Sequence, residues 1–304
     1  MYLVTTNELT KIYGGRAVVN KVNMHIPEGS IYGFVGENGS GKTTIMRMLT
    51  GIASPNYGSF EMFGVKNTDS KIYKMRKQIS AIVETVSMVP TMTALDNMKF
   101  QELYLGIKLT PERRMELLTL VGLEKVGSKK VKNFSLGMRQ RMGIALALMN
   151  EPKFMLLDEP MNGLDPQGIA ELRDILIKVN REKGVTILIS SHILSELEKI
   201  ATFYGFISHG KIIEELTVEE LQDKCRKSTT IKFAEVEKAY KVLKELNVKD
   251  FKTYPNGDVK IFDEIDIGDF VSKLHDKDLK ILSINSSDEG VEEYYLNLVK
   301  GGNK

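Results

Sequence analysis

Nine residues constrain this chain more than any other segment: Gly36-Glu37-Asn38-Gly39-Ser40-Gly41-Lys42-Thr43-Thr44. They fit G-x-x-x-x-G-K-[ST]. The apolar run Ile31-Tyr32-Gly33-Phe34-Val35 precedes them, and a helical pattern from Thr44 to Leu49 follows. A strand, a glycine-rich loop and a helix in that order make a phosphate cradle, because glycines let the backbone come close and its N–H groups point at the anion. Lys42 is expected to be a movable cation for the outer phosphates, and the Thr43 hydroxyl a magnesium ligand. The pattern alone also occurs in chance turns. The strand before it and the helix after it point to a nucleoside triphosphate, bound by Gly36, Asn38, Gly39, Ser40, Gly41, Lys42, Thr43 and Thr44.

Short apolar runs alternate with helical patterns from Met1 to about Leu216. Strands are expected at Leu3–Thr10, Ser30–Val35, Ile79–Val83, Phe154–Leu157, Val185–Ile189, Phe203–Ser208 and Lys211–Glu215. Helices are expected at Gly41–Leu49, Ala94–Tyr104, Pro111–Val121, Leu136–Met149, Asp165–Asn180 and Ile193–Ile200. Such alternation predicts an α/β domain over 1–224, with a mainly parallel sheet covered by helices. A helical insertion spans about 86–150, and no strand pattern occurs in it before Val131.

The texture changes near Cys225, and 225–304 reads as a small α+β domain. Strand patterns at Thr229–Phe233, Asp250–Tyr254, Asp258–Phe262 and Leu279–Ile284 alternate with helical ones at Glu235–Leu246, Asp266–His275 and Gly290–Lys300. Pro255-Asn256-Gly257 marks a hairpin. The order βαββαβ matches a ferredoxin-like sandwich. Phe233, Tyr240, Tyr254, Phe262 and Phe270 are expected in its core, and no chemistry is recognisable there.

Gross composition narrows the function classes. The net charge of +2 offers no global field for nucleic acid, and one cysteine excludes an internal disulfide, so a reducing compartment is expected. No apolar run approaches the ~18 to 20 residues that span a bilayer. The first residues lack the basic-then-apolar pattern of a secretion signal.

Two further motifs carry chemistry. Phe154-Met155-Leu156-Leu157-Asp158-Glu159-Pro160 is a buried-strand pattern ending in two acids, at the strand end where open α/β sheets gather ligands. Asp158 suits magnesium, and Glu159 suits taking a proton from the attacking water. Asn133-Phe134-Ser135-Leu136-Gly137-Met138 opens a long helix with Ser135 as N-cap, where free N–H groups can receive an anion.

This ordered set resembles the nucleotide-binding subunit of ATP-binding cassette (ABC) transporters over about Met1 to Leu216. Phe134-Ser135-Leu136-Gly137-Met138 resembles the family signature L-S-G-G-Q in degenerate form, with Leu136 for its first glycine and Met138 for its glutamine. Pro160-Met161-Asn162-Gly163-Leu164-Asp165 resembles the D-loop, and Ile189-Ser190-Ser191-His192 the switch region. The resemblance implies a fold of ABC type, with a mixed core sheet, an antiparallel β part and a helical insertion. It implies ATP and Mg2+ as cofactors, Glu159 as base, His192 on the γ-phosphate and Tyr13 stacked on adenine. It further implies Ser135 and Gly137 acting across a dimer of this chain, Asp165 coupling the two sites, and a transmembrane permease as partner. The place implied is cytoplasmic, peripheral on the inner face of the membrane, with no nucleic acid.

After the strand Ile79–Val83 the family usually has glutamine, whereas this chain has Glu84. Glu84 is expected as a charged metal ligand beside Thr43 and Asp158. That variant resembles the subgroup serving bacitracin and lantibiotic immunity, and so implies export of an antimicrobial peptide or drug. Met88, Val89 and Met92 suit either the core or the permease contact. The alternatives are an ABC ATPase that moves no solute, opposed by the single cassette and the lack of a basic stripe, and a nucleotide-dependent regulatory switch, opposed by intact Lys42, Asp158, Glu159 and His192.

Overall fold

The computed structural model describes residues 1–83, 87–226, 228–246, 248–254, 256–263, 265–277, 279–287 and 290–301. Glu84, Val86 at the start of the expected insertion and Pro255 of the hairpin signal lie outside the described residues. The chain forms two compact units, Met1–Val218 and Glu219–Gly301.

The first unit contains a six-stranded sheet in the order Lys211–Thr217, Phe203–Ser208, Ile31–Val35, Thr186–Ser191, Phe154–Asp158, Ile79–Ile82. The first pair is antiparallel and every other pair is parallel. Ile31–Val35, Phe154–Asp158 and Thr186–Ser191 are buried at every residue. That is why they read as unbroken apolar runs: a parallel sheet is covered on both faces. Register pairs Val35 with Ser191 and Asp158 with Ser190. The phosphate loop, the two acids and the switch histidine therefore leave the sheet side by side at its carboxyl edge.

A second, antiparallel sheet has five strands. Tyr2–Tyr13 pairs with Arg16–Val22, His25–Pro27 and Tyr57–Met62, and the last of these pairs with Val65–Lys66. Only Leu3–Thr10 was expected of these strands. Register shifts interrupt the pairings on both sides of Tyr2–Tyr13, and Glu8 and Lys21 adopt left-handed φ values of 45° and 51°. Such irregularities break the two-residue alternation by which a half-buried strand is recognised. Leu9, Ile26 and Phe60 from this sheet pack with Phe34, Ile45 and Met48 in one core, so the helix Lys42–Thr50 is held between the two sheets.

The insertion contains the helices Ala94–Leu105, Pro111–Leu120 and Leu136–Ala147. Thr93 and Thr110 cap the first two, accepting from the Asp96 and Arg113 amides at 3.1 and 3.2 Å. Glu102 and Arg114 lock these helices together through paired contacts of 2.5 and 2.8 Å, and the guanidinium holds the carboxyl below the usual range. From 87 to 135 the described residues contain no strand, only an isolated bridge between Thr93 and Lys130. The third helix was expected to reach Met149. It tightens into a 3-10 turn at Leu148–Asn150, since Glu151 turns left-handed at φ 47° ahead of Pro152.

In the second unit the strands stand in the order Phe251–Thr253, Asp258–Ile261, Ser228–Phe233, Ile281–Ser287, all antiparallel. With the helices Val236–Glu245 and Ile267–Asp276 this is the ferredoxin-like split βαβ arrangement. Ile231, Phe233, Val259 and Ile261 meet Leu243, Phe270 and Leu274 in its core. Phe233 and Phe270 are buried as expected. Tyr240 and Tyr254 are instead exposed and Phe262 is half-buried, because they lie off the face shared by sheet and helices.

Candidate active site

Ile31–Val35 delivers the chain to Gly36, and Lys42–Thr50 carries it away. Two glycines are required by contact. A Cβ on Gly36 would lie 2.5 Å from the Ile207 carbonyl oxygen, and one on Gly41, at φ +112°, 2.9 Å from that of Val18. The Ser40 hydroxyl is buried without a hydrogen-bond partner among the described residues. Leaving such a group unpaired costs about 1–3 kcal/mol, and a phosphate oxygen in the cradle would satisfy it. Lys42 is only 5% exposed. Its Nζ donates to the carbonyl oxygens of Gly36 at 2.6 Å and Glu37 at 3.1 Å, and lies 3.5 Å from Glu159 Oε1. The loop's own carbonyls hold the ammonium where a phosphate oxygen can take over.

The acids are fixed by hydroxyls. Thr43 Oγ1 donates to Asp158 Oδ2 at 2.7 Å, and Ser190 Oγ donates to Asp158 Oδ1 at 2.6 Å. The Glu159 amide donates to Ser190 Oγ at 2.9 Å. Ser190 is fully buried and orients both acids from the neighbouring strand. Sequence reasoning placed it only within the switch run. Its signal was a hydroxyl directly before Ser191 and His192, at the end of a strand that neighbours the acidic one.

Glu159 adopts φ 48°, an uncommon left-handed conformation for a side chain of its size. Its Oε2 lies 2.8 Å from His192 Nδ1, and its Oε1 is buried with no hydrogen bond among the described residues. One carboxylate thus stands between an ammonium and an imidazole. Glu196, on the next turn, has its carboxyl pKa raised by burial and, to a smaller extent, by the charge of Glu159, while His192 opposes the rise.

Ser135, Gly137 and Asp165 form a second cluster. Ser135 Oγ caps its helix by accepting from the Met138 amide at 3.2 Å, as expected. Asp165 Oδ1 caps the helix Pro166–Lys183 through the Gly168 amide at 3.1 Å. These residues line one cavity of about 470 Å³ together with Arg141, Leu164 and Gln167. The cluster shares no residue with the one around Lys42. Tyr13 ends its strand opposite Arg16, 46% exposed, with Lys11 Nζ 5.0 Å from its ring centre. A larger groove of about 960 Å³ runs between the strand Ile79–Ile82 and the insertion. Met88, Val89, Phe100, Tyr104 and Leu146 line it, whereas Met92 is half-buried elsewhere.

Comparison with known proteins identifies the family. Residues 19–162 match the family model described as ABC transporter. The bacitracin transport ATP-binding protein BcrA of Enterococcus faecalis is 40% identical over 99% of this chain and 97% of its own length. The lantibiotic transport ATP-binding protein SrtF of Streptococcus pyogenes is 46% identical over 70% of this chain and 90% of its own. Among solved structures, cbiO1 of Clostridium perfringens, part of the ABC transporter complex cbiONQ, superposes with a TM-score of 0.67 at 26% identity, covering 73% of this chain and 91% of that one. The ATP-binding cassette MJ0796, a dimer in a post-hydrolysis state bound to ADP and Pi, superposes at 0.63 with 25% identity, covering 71% of this chain and 98% of its own. The chain belongs to the ABC transporter family and is one of its ATP-binding, ATP-hydrolysing subunits.

Proposed function

We propose that this chain powers the export of a bacitracin-type antimicrobial peptide through a separate membrane subunit, and that two copies of it clasp ATP between them. The observation that carries the paired site is the division of its parts into two clusters that share no residue. Lys42, Thr43, Asp158, Glu159 and His192 make one half. Ser135, Gly137 and Asp165 line the other. Nothing among the described residues explains a glycine at 137, since an added Cβ would meet its nearest neighbour at an ordinary 3.8 Å. The close approach of a second copy supplies a reason.

The residues then divide the work. Ser40 and the loop amides receive phosphate oxygens, and Lys42 exchanges the Gly36 and Glu37 carbonyls for them. Tyr13 offers an exposed ring to the base. Thr43 and Asp158 present oxygen ligands of the kind magnesium takes, and magnesium, when bound, offsets charge on the phosphates. Glu159 orients and deprotonates the attacking water, and His192 holds the γ-phosphate. Closing the second copy's Ser135 and Gly137 over the site excludes water and strengthens these contacts. Asp165, at the head of its helix, links the state of one site to the other.

Glu84 completes the metal set in this reading. Glu84→Gln is expected to raise the magnesium concentration needed for half-maximal turnover, because a neutral oxygen replaces a charged ligand. A titration of turnover against magnesium that superimposes on the wild type would remove Glu84 from the site.

No helix among the described residues is long and apolar enough to cross a membrane. The working place in this reading is the inner membrane face, with the groove beside Phe100 and Tyr104 seated on the permease. The full-length match to BcrA, which includes the second unit, favours a bacitracin-type cargo over a lantibiotic. The test is ATPase of the chain with its permease in lipid vesicles. Bacitracin is expected to raise turnover several-fold and to be moved across the bilayer. Turnover indifferent to the peptide would refute the cargo.

A further inference from the structure

We infer that Arg141 is a positioning residue that ties the end of the insertion to both elements a second copy's ATP must meet, the Ser135–Gly137 turn and the Asp165 helix. The inference rests on the paired-site reading above.

Arg141 lies in the second turn of the helix capped by Ser135. Its Nη1 donates to the Val121 carbonyl oxygen at 3.1 Å and approaches that of Gly122 at 3.5 Å. These carbonyls end the helix Pro111–Leu120, where the peptide dipoles leave partial negative charge. The fit is close: a Cβ added to Gly122, at φ +66°, would lie 3.0 Å from Nη1. On its other side, Nη2 lies 3.3 Å from Glu171 Oε2, on the Asp165 helix. Glu171 Oε1 in turn accepts at 3.0 Å from Nε2 of Gln167, the second residue of that helix. An unbroken run of contacts therefore joins the end of an insertion helix to the head of the D-loop helix, through one guanidinium.

The remaining nitrogen, Nε, is buried with no hydrogen-bond partner among the described residues. A side chain present only for local stability would be expected to satisfy it. Here the fork is spent on reaching two other elements at once. Lysine could not replace it, since a single ammonium does not span carbonyls on one side and a carboxylate on the other. Another link between these elements, Lys183 Nζ to Glu116 Oε1 at 3.9 Å, joins two exposed residues and is weak by comparison.

The experiment uses the full chain carrying Glu159→Gln, which is expected to hold ATP. Adding Arg141→Gln is expected to raise the ATP concentration for half-maximal dimerisation about tenfold. Amide exchange at 117–123 and at 163–168 is expected to quicken together. The reversal Arg141→Glu with Glu171→Arg restores the ion pair but leaves no donor for the Val121 carbonyl, so it is expected to stay uncoupled. Recovery in the reversal, or exchange rising at one end only, overturns the inference. If Glu159→Gln alone never dimerises with ATP, the paired-site reading fails, while the exchange measurement still decides the role of Arg141. Should Arg141→Gln not fold, Glu171→Gln must show the same joint rise in exchange, and a rise confined to 163–168 counts against the strut.

Discussion

Glu159→Gln is expected to bind ATP, to lose hydrolysis by ~10²–10⁴-fold and to accumulate as an ATP-bound dimer. The size of the effect follows from how the side chain is held. Its amide is bonded to Ser190, its left-handed turn aims it across the phosphate loop, and its two oxygens face His192 and Lys42. Glutamine keeps the shape and one acceptor oxygen, so the site stays assembled. It cannot accept the proton that leaves water. It also removes a negative charge 3.5 Å from Lys42 Nζ, which frees that ammonium for the phosphates. Affinity for ATP should therefore rise as turnover falls, a split that general loss of structure cannot produce. Single-turnover hydrolysis and light scattering with ATP measure both. Turnover within twofold of the wild type would exclude Glu159 as the base.

How much of this was legible in the sequence depended on whether a segment's local pattern was also its whole environment. Ile31–Val35 and Phe154–Asp158 are buried on both faces, so apolar runs alone revealed them. Ser135 and Asp165 cap helices through bonds that reach only three residues ahead, and such bonds are written in local sequence. The ferredoxin-like order of the second unit followed from four strand patterns, the two helical patterns between them and one hairpin signal. Strands such as Arg16–Val22 and Tyr57–Met62 were not legible, because bulges shift their register and their partner is chosen by packing against Phe34 and Met48. Ser190 escaped notice as an organiser of both acids for a related reason. Its bonds to Asp158 and to the Glu159 amide cross between strands 31 or more residues apart. The bridge from Arg141 to Val121 and Glu171 is likewise visible only once three helices are assembled.

Two inactive variants mixed together should regain activity, and this is the most direct consequence of a site shared between copies. Lys42→Met removes the buried ammonium that is bonded to Gly36 and Glu37, and with it the cation for the outer phosphates. Ser135→Glu places a carboxylate at the helix start, where it repels the neighbour's γ-phosphate. Each variant alone is expected to show turnover near background. In a mixed dimer, the Ser135→Glu copy still offers Lys42, Asp158, Glu159 and His192. The Lys42→Met copy still offers Ser135 and Gly137. One whole site is thereby rebuilt, and the other lacks both parts. With random pairing, half the dimers are mixed and each holds one good site, so recovery should approach about a quarter of the wild-type rate. A site complete within a single chain predicts no recovery at any mixing ratio. The outcome also separates the roles of the two clusters, because mixing Lys42→Met with Glu159→Gln puts both lesions in the same half of the site. In their mixed dimer every site lacks either the ammonium or the base, and that mixture should stay inactive.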